Sequence, residues 1–314
     1  MKRAIAALLV ATVVAACGST HRTGSPRPQS STRAAAAARD QVNTGVAASY
    51  VTPLATIQLA QPLAQYTIYV NRLLALLSRQ VGTLHSAALH GDLTAAESAW
   101  SRAHFTWLEL GQDDAAYGAF GELGEQIDGL ANGLPGTIHS SKFTGFHRIE
   151  LDLWRHHNTT AAAADIAHLA VLIHRLNPHA VQSDLPLTAL GVDAWVLRCH
   201  EILEDALRDS LTQGDDYGSN SDLATLAADV NATHEMLAVL APLITARRPK
   251  IVSTGITDLR ALARAIDAAG GPAAHRNLRA MPLRRRQALD ASTGAAVETL
   301  APVSEILQVT VPGS

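Results

Sequence analysis

Aromatic residues make up only 4% of this 314-residue chain, and cysteine occurs just twice. Runs of valine, isoleucine, threonine and aromatics, which suit a pleated half-buried surface, are few, so there is little from which to build a sheet. Two cysteines, Cys17 and Cys199, exclude a disulfide-stapled scaffold. No stretch after residue 16 has the length and apolarity of a membrane-spanning helix. Missing too are His-Glu-x-x-His, a Gly-x-Ser-x-Gly nucleophile turn, a phosphate-binding glycine loop and Cys-x-x-Cys. The common zinc-protease, serine-hydrolase, nucleotide and dithiol chemistries therefore have no motif here. Lysine and arginine number 25 against 28 acids, a formal charge of −3. That balance gives no support for a nucleic-acid partner.

What is there is 47% hydrophobic and very rich in alanine and leucine. Such a composition favours helices packed closely through small side chains. Apolar residues recur at helical intervals from Leu63 to Leu89, and Thr94-Ala95-Ala96-Glu97 reads as a capping box opening a helix that stops near Gly111. Gly111–Ser141 is glycine-rich and expected to be irregular, and long connections of that kind are often functional. Helical patterns return at Ala161–Leu176, Thr188–Thr212, Asp222–Thr245, Thr257–Ala268 and Leu283–Gln308. The breaks are Asn177-Pro178, Leu185-Pro186 and Gly270-Gly271-Pro272. The expected fold is all-α, with antiparallel helical bundles, two of four-helix type dividing near residue 180.

The N-terminus reads separately. Met1-Lys2-Arg3 is basic, Ala4–Ala16 is apolar but too short to span a bilayer, and Val14-Ala15-Ala16-Cys17 places small residues directly before a cysteine. This resembles a bacterial lipoprotein signal, with Cys17 as the lipidated first residue of the mature chain. Residues 18–45, rich in Ser, Thr, Pro and Arg, read as a flexible tether. Residues 46–312 form the helical domain. With Cys17 lipidated, Cys199 stands alone and reads as a small core residue.

One helix start stands out: Phe143-Thr144-Gly145-Phe146-His147-Arg148-Ile149-Glu150, followed by Leu151-Asp152-Leu153-Trp154. His147 and Glu150, three apart, share one face with Leu151 and Trp154, while Arg148, Asp152 and Arg155 form the solvated face. A buried imidazole beside a buried carboxylate needs partners. The pair alone fits a satisfied ion pair as well as a metal ligand set. Two other helices offer inward polar groups. Glu204 lies at i+4 from His200 on an apolar stripe, with Glu201 on the solvated side. Glu109 follows Phe105, Trp107 and Leu108. Asp128 adds a weaker candidate from the glycine-rich connection. Carboxylates with one imidazole suit iron, manganese or zinc better than copper(I). Each acid also has a plain structural reading: Glu109 at a helix end, Glu204 paired with His200, Asp128 capping a turn. Three inward polar clusters in one alanine- and leucine-rich bundle are harder to read as structural, since each is costly if unpaired.

Those residues carry a resemblance to the imelysin-like family, and within it to the iron-uptake lipoproteins of EfeO/EfeM type. It runs from about Gln65 to Leu243 and is densest in four strings. These are Ala103-His104-Phe105-Thr106-Trp107-Leu108-Glu109-Leu110-Gly111, Ala116-Tyr117-Gly118-Ala119-Phe120-Gly121, Gly145–Glu150 with Leu153-Trp154, and His200-Glu201-Ile202-Leu203-Glu204. The resemblance implies two helical bundles with a metal site carried by His147 and Glu150, with Glu109 and Glu204 near it and Asp128 a weaker match. It implies an extracytoplasmic, lipid-anchored monomer that captures iron and delivers it to a ferric permease in an EfeUOB-type system, beside a haem peroxidase. Zinc and copper are the competing ions. A tether that runs directly into helices, with no cupredoxin-like domain, resembles the shorter EfeM type. Two departures leave the ligand set open: an insertion at Gln112-Asp113-Asp114, and no histidine within Gly214–Asn220. The competing function is a zinc metallopeptidase, with Glu150 or Glu204 as general base. A surface interaction protein with a purely structural polar cluster is a third.

Overall fold

In this computed structural model, residues 53–111, 120–176 and 189–308 are described. The leader with Cys17, the tether, the Gln112–Asp114 insertion, Ala116–Ala119 and the Asn177-Pro178 and Leu185-Pro186 breaks lie outside them. The alanine- and leucine-rich periodic segments form helices, and the protein is all-α. No strand forms among the described residues; Leu54 N–H donates to Gln308 O at 2.7 Å.

Helix α1 (Ala60–Leu89) turns at Gly91 into α2 (Leu93–Leu108). The cap of α2 is Asp92, whose carboxylate accepts the Ala95 N–H at 3.0 Å, two residues earlier than the Thr94 box suggests. Asp92 receives the otherwise unpaired first-turn amide, a contribution of about 1 kcal/mol. Within the glycine-rich stretch a short helix α3 (Glu122–Asp128) forms, so that stretch is less irregular than its composition implies. Helix α4 (Gly145–Glu150) runs on as a π-turn over Leu151–Arg155, and α5 (Thr159–Arg175) follows. Helix α6 (Ala189–Asp205) likewise ends in a π-turn, Ala206–Ser210. Then come α7 (Asp222–Arg247), α8 (Pro249–Ala269), α9 (Leu283–Leu300) and α10 (Pro302–Ile306). Pro249 sits at the first position of α8, where its missing N–H is harmless and its φ is pre-set, so α8 starts before Thr257.

Helix α1 packs on α2 and α5, α8 on α7 and α9, and α6 on α7 and α9. One apolar cluster runs through them all, anchored by Trp100, Trp107, Trp195 and Tyr66. No described helix is long and apolar enough to cross a membrane.

Candidate metal centre

The polar exception to this apolar packing lies where α2, α3 and α4 meet. His104 projects from α2, Asp128 is the last residue of α3, and His147 stands on α4. His104 Nε2 lies 3.0 and 3.2 Å from the two Asp128 oxygens. His147 Nε2 is 3.5 Å from Asp128 Oδ1. One donor atom from each residue falls within 4.8 Å of the others, close enough to share one ion. Both imidazoles are 5% exposed, so water does little to satisfy them.

Local chain geometry brings Asp128 and His147 together. Gly145 has φ +76°, and a Cβ there would come 2.0 Å from the Ile127 carbonyl oxygen. Only glycine allows this close crossing of α3 under the start of α4. Thr144 Oγ donates to Gln126 O at 2.7 Å across the same crossing. Aromatic rings fix the histidines. Trp100 lies 4.6 Å and Phe146 5.1 Å from the His104 ring, and Trp100 Nε1–H donates to Phe146 O at 2.9 Å. The Tyr217 ring sits 5.2 Å from His147.

Glu150 is 1% exposed and holds His147 from behind. Its Oε2 is 3.2 Å from His147 Nδ1. Its Oε1 accepts the N–H groups of Tyr217 and Ser219, at 3.0 and 2.9 Å, and the Ser219 hydroxyl at 2.7 Å. A carboxylate on one ring nitrogen, leaving the other to face the ion, is the usual way a protein aims a metal-binding histidine. Burial opposes charge on His147, yet Asp128, Glu150 and Asp215 hold its proton and push its pKa up to about 9. Burial likewise works against the Glu150 carboxylate, but His147 and Ser219 outweigh it and the pKa falls below the ordinary value.

The cluster opens into a cavity of about 330 Å³, which Asp209, Asp215 and Asp229 also line. Asp215 takes the Ser210 hydroxyl on Oδ2 at 2.7 Å, while its Oδ1 is buried with no hydrogen-bond partner. Burial raises the Asp215 pKa, and the His147 charge offsets part of that rise. Two imidazoles and a carboxylate, with the Asp215 carboxyl on the wall of the same cavity, can take up a hard or borderline divalent or trivalent cation.

Of the residues expected at a metal site, the structure brings together His147, Glu150 and Asp128. Glu109 lies elsewhere, at the end of α2. Its Oε1 accepts from Asn231 Nδ2 at 2.8 Å, and burial raises its pKa. Glu204 is on the outer face of α6, its side chain 50% exposed and 3.9 Å from His200 Nε2. Neither lines the cavity. The buried stripe of α6 is Trp195, Cys199, Ile202 and Ala206, which turns Glu204 outward, and Glu201 is the more sheltered acid at 14%. Asp152, read from spacing as solvated, is 1% exposed between Arg148 and His156. The π-turn after Glu150, closed by His156 N–H on Leu151 O, adds a residue and rotates Asp152 inward. His104 is the residue that spacing alone misses. It falls on the buried stripe with Trp100 and Trp107, but no acid on its own helix marks it, since its partner arrives from α3.

Residues 62–182 match the imelysin family model, of peptidase family M75. Over that stretch the chain is similar to imelysin. That match takes in His104, Asp128, His147 and Glu150, and ends before the loop that holds Asp215 and Ser219. Over 188 residues the chain is 26% identical to the iron uptake system component EfeO of Yersinia pseudotuberculosis serotype I (strain IP32953), covering 59% of this chain and 48% of that one. The Yersinia pestis protein of the same name is likewise 26% identical, with 47% of its length covered. This chain thus spans about half the length of the curated relatives it matches.

Proposed function

We propose that this protein is an exported iron-capture component of an uptake system. In this reading iron is the cargo, held by His104 and His147 through Nε2 and by Asp128, with Asp215 on the wall of the same cavity and Glu150 orienting His147. The observation that carries it is the buried trio of donors within 4.8 Å of one another, pre-aimed by Glu150. The likeness to the iron uptake component EfeO gives the trio its most economical cargo. Delivery to a ferric permease, work beside a haem peroxidase, and anchoring through a lipid on Cys17 belong to the same proposal.

The donor set bears on selectivity. Imidazole and carboxylate admit iron and zinc, whereas copper(I) prefers sulfur. The one described thiol, Cys199, is fully buried, and burial pushes its pKa up to about 12. A zinc peptidase would need a free base beside a metal-bound water. Glu150 has both oxygens engaged and Glu204 faces outward, which weighs against that reading. Equilibrium iron binding by His104→Ala and His147→Ala tests the assignment. Each loses at least ten-fold in affinity, while Glu109→Gln and Glu204→Gln bind as the parent does. Unchanged binding in both histidine variants overturns it.

A further inference from the structure

Charge is unevenly distributed along this chain, and the iron site does not account for it. Between residues 264 and 290 there are six arginines, Arg264, Arg276, Arg279, Arg284, Arg285 and Arg286, against two acids, Asp267 and Asp290. All six belong to one end of the α8/α9 hairpin: the last turns of α8, the connection after Ala269, and the first turn of α9. Five are exposed and Arg286 is half-buried. Among the described residues none of the six is in an ion pair. Elsewhere, Arg148, Arg198 and Arg208 are each held by aspartates, at 3.2, 2.8 and 2.6 Å. Directly before Arg284–Arg286 in the chain is Leu283, 60% exposed and one of five exposed large apolar side chains among the described residues.

We propose that this arginine-rich turn is a membrane-docking surface that seats on anionic phospholipid headgroups. The guanidinium groups present forked donors that match phosphate oxygens, and a negative bilayer supplies the charge that the protein does not. Leu283, exposed next to Arg284–Arg286 in the chain, fits the boundary between headgroups and acyl chains. That apolar tip favours a lipid surface over an acidic protein, which would need only the charges. Docking would also bear on the iron site. Arg279 N–H donates to Gln213 Oε1 at 3.1 Å and its guanidinium to Thr212 O at 3.3 Å, and this segment leads directly into Asp215. A docked turn thus holds the Asp215 loop close to the bilayer, where a permease would receive the ion. The proposal needs neither the lipid anchor nor the iron assignment.

The test is co-sedimentation of the full chain with vesicles of phosphatidylglycerol or of phosphatidylcholine, at low and physiological salt. Any pull from the N-terminal leader is common to every variant, so differences between variants are what count. Wild type favours phosphatidylglycerol, and salt weakens the preference. R276Q/R284Q/R285Q loses about five-fold in phosphatidylglycerol partition per arginine removed, and the charge-matched R79Q/R102Q/R175Q keeps it. L283S weakens binding about ten-fold without removing any charge. Equal losses in the two triple variants, or no loss in either, overturn the proposal. So does binding to polyglutamate that the turn variants abolish and L283S leaves intact, which assigns the turn to an acidic protein instead.

Discussion

Glu150 has no oxygen to spare: one faces His147, and the other takes two backbone amides and the Ser219 hydroxyl. A carboxylate held in this way acts through the histidine it orients, and losing such a partner typically costs 10- to 100-fold in metal affinity. Glu150→Gln is expected to weaken iron binding in that range while the domain stays folded, with Glu204→Gln as the unaffected comparison. Isothermal titration reads both, and an unchanged Glu150→Gln contradicts the role assigned to it. The His147/Glu150 pair was legible in the sequence because a spacing of three on a helix puts both side chains on one face. His104, a lone histidine on an apolar stripe, was not, and Asp215 reads from sequence only as a loop acid or secondary ion contact. Both gain meaning from partners far away in the chain.

Helix boundaries were legible where the apolar stripe was simple, as in α1, and faces were misleading where the helix changed winding. The π-turn at Leu151 buries Asp152, and the Trp195/Cys199/Ile202 stripe turns Glu204 outward; neither feature has a sequence signature as plain as a capping residue. The crossing of α3 under α4 shows what an element-scale constraint demands. Gly145 meets Ile127 O there with a left-handed φ, so Gly145→Ala has to move backbone and not merely a side chain. That variant is expected to lower the melting temperature and, by separating Asp128 from His147, to cost iron affinity too. Asp92→Ala, which removes only the α2 cap, should cost about 1 kcal/mol of stability and leave affinity intact. Denaturant unfolding and metal titration on the two variants separate the effects; loss of affinity in Asp92→Ala would falsify the division.

Across the whole molecule, buried titratable groups tie stability to pH. His147 keeps its proton to about pH 9 in the folded protein, against an ordinary value of 6.5. Its stabilisation is therefore complete below pH 6.5 and is lost as pH rises to 9. Burial, with Asp215 and Asp216 nearby, pushes the Asp222 carboxyl up to about 8 from 3.8, so the folded state again holds the extra proton. Asp222 therefore lowers the stability of the metal-free protein as pH rises from 3.8 to 8, and His147 as it rises from 6.5 to 9. Glu150, with its lowered pKa, acts oppositely in acid, where stability falls as it is protonated. A melting temperature that is flat from pH 6.5 to 9 contradicts these assignments. Metal ligands must be free of protons, so iron entering at pH 7 should expel a proton from His147, visible as a buffer-dependent binding enthalpy.

The all-α architecture could be read from composition and period alone, whereas the centre of the site depends on three helices meeting. X-ray absorption at the iron edge of the loaded protein tests that meeting most directly. The expected spectrum carries outer-shell scattering from two imidazoles, falling to one in His104→Ala. A wild-type spectrum that fits a single imidazole, unchanged by loss of His104, would contradict the site.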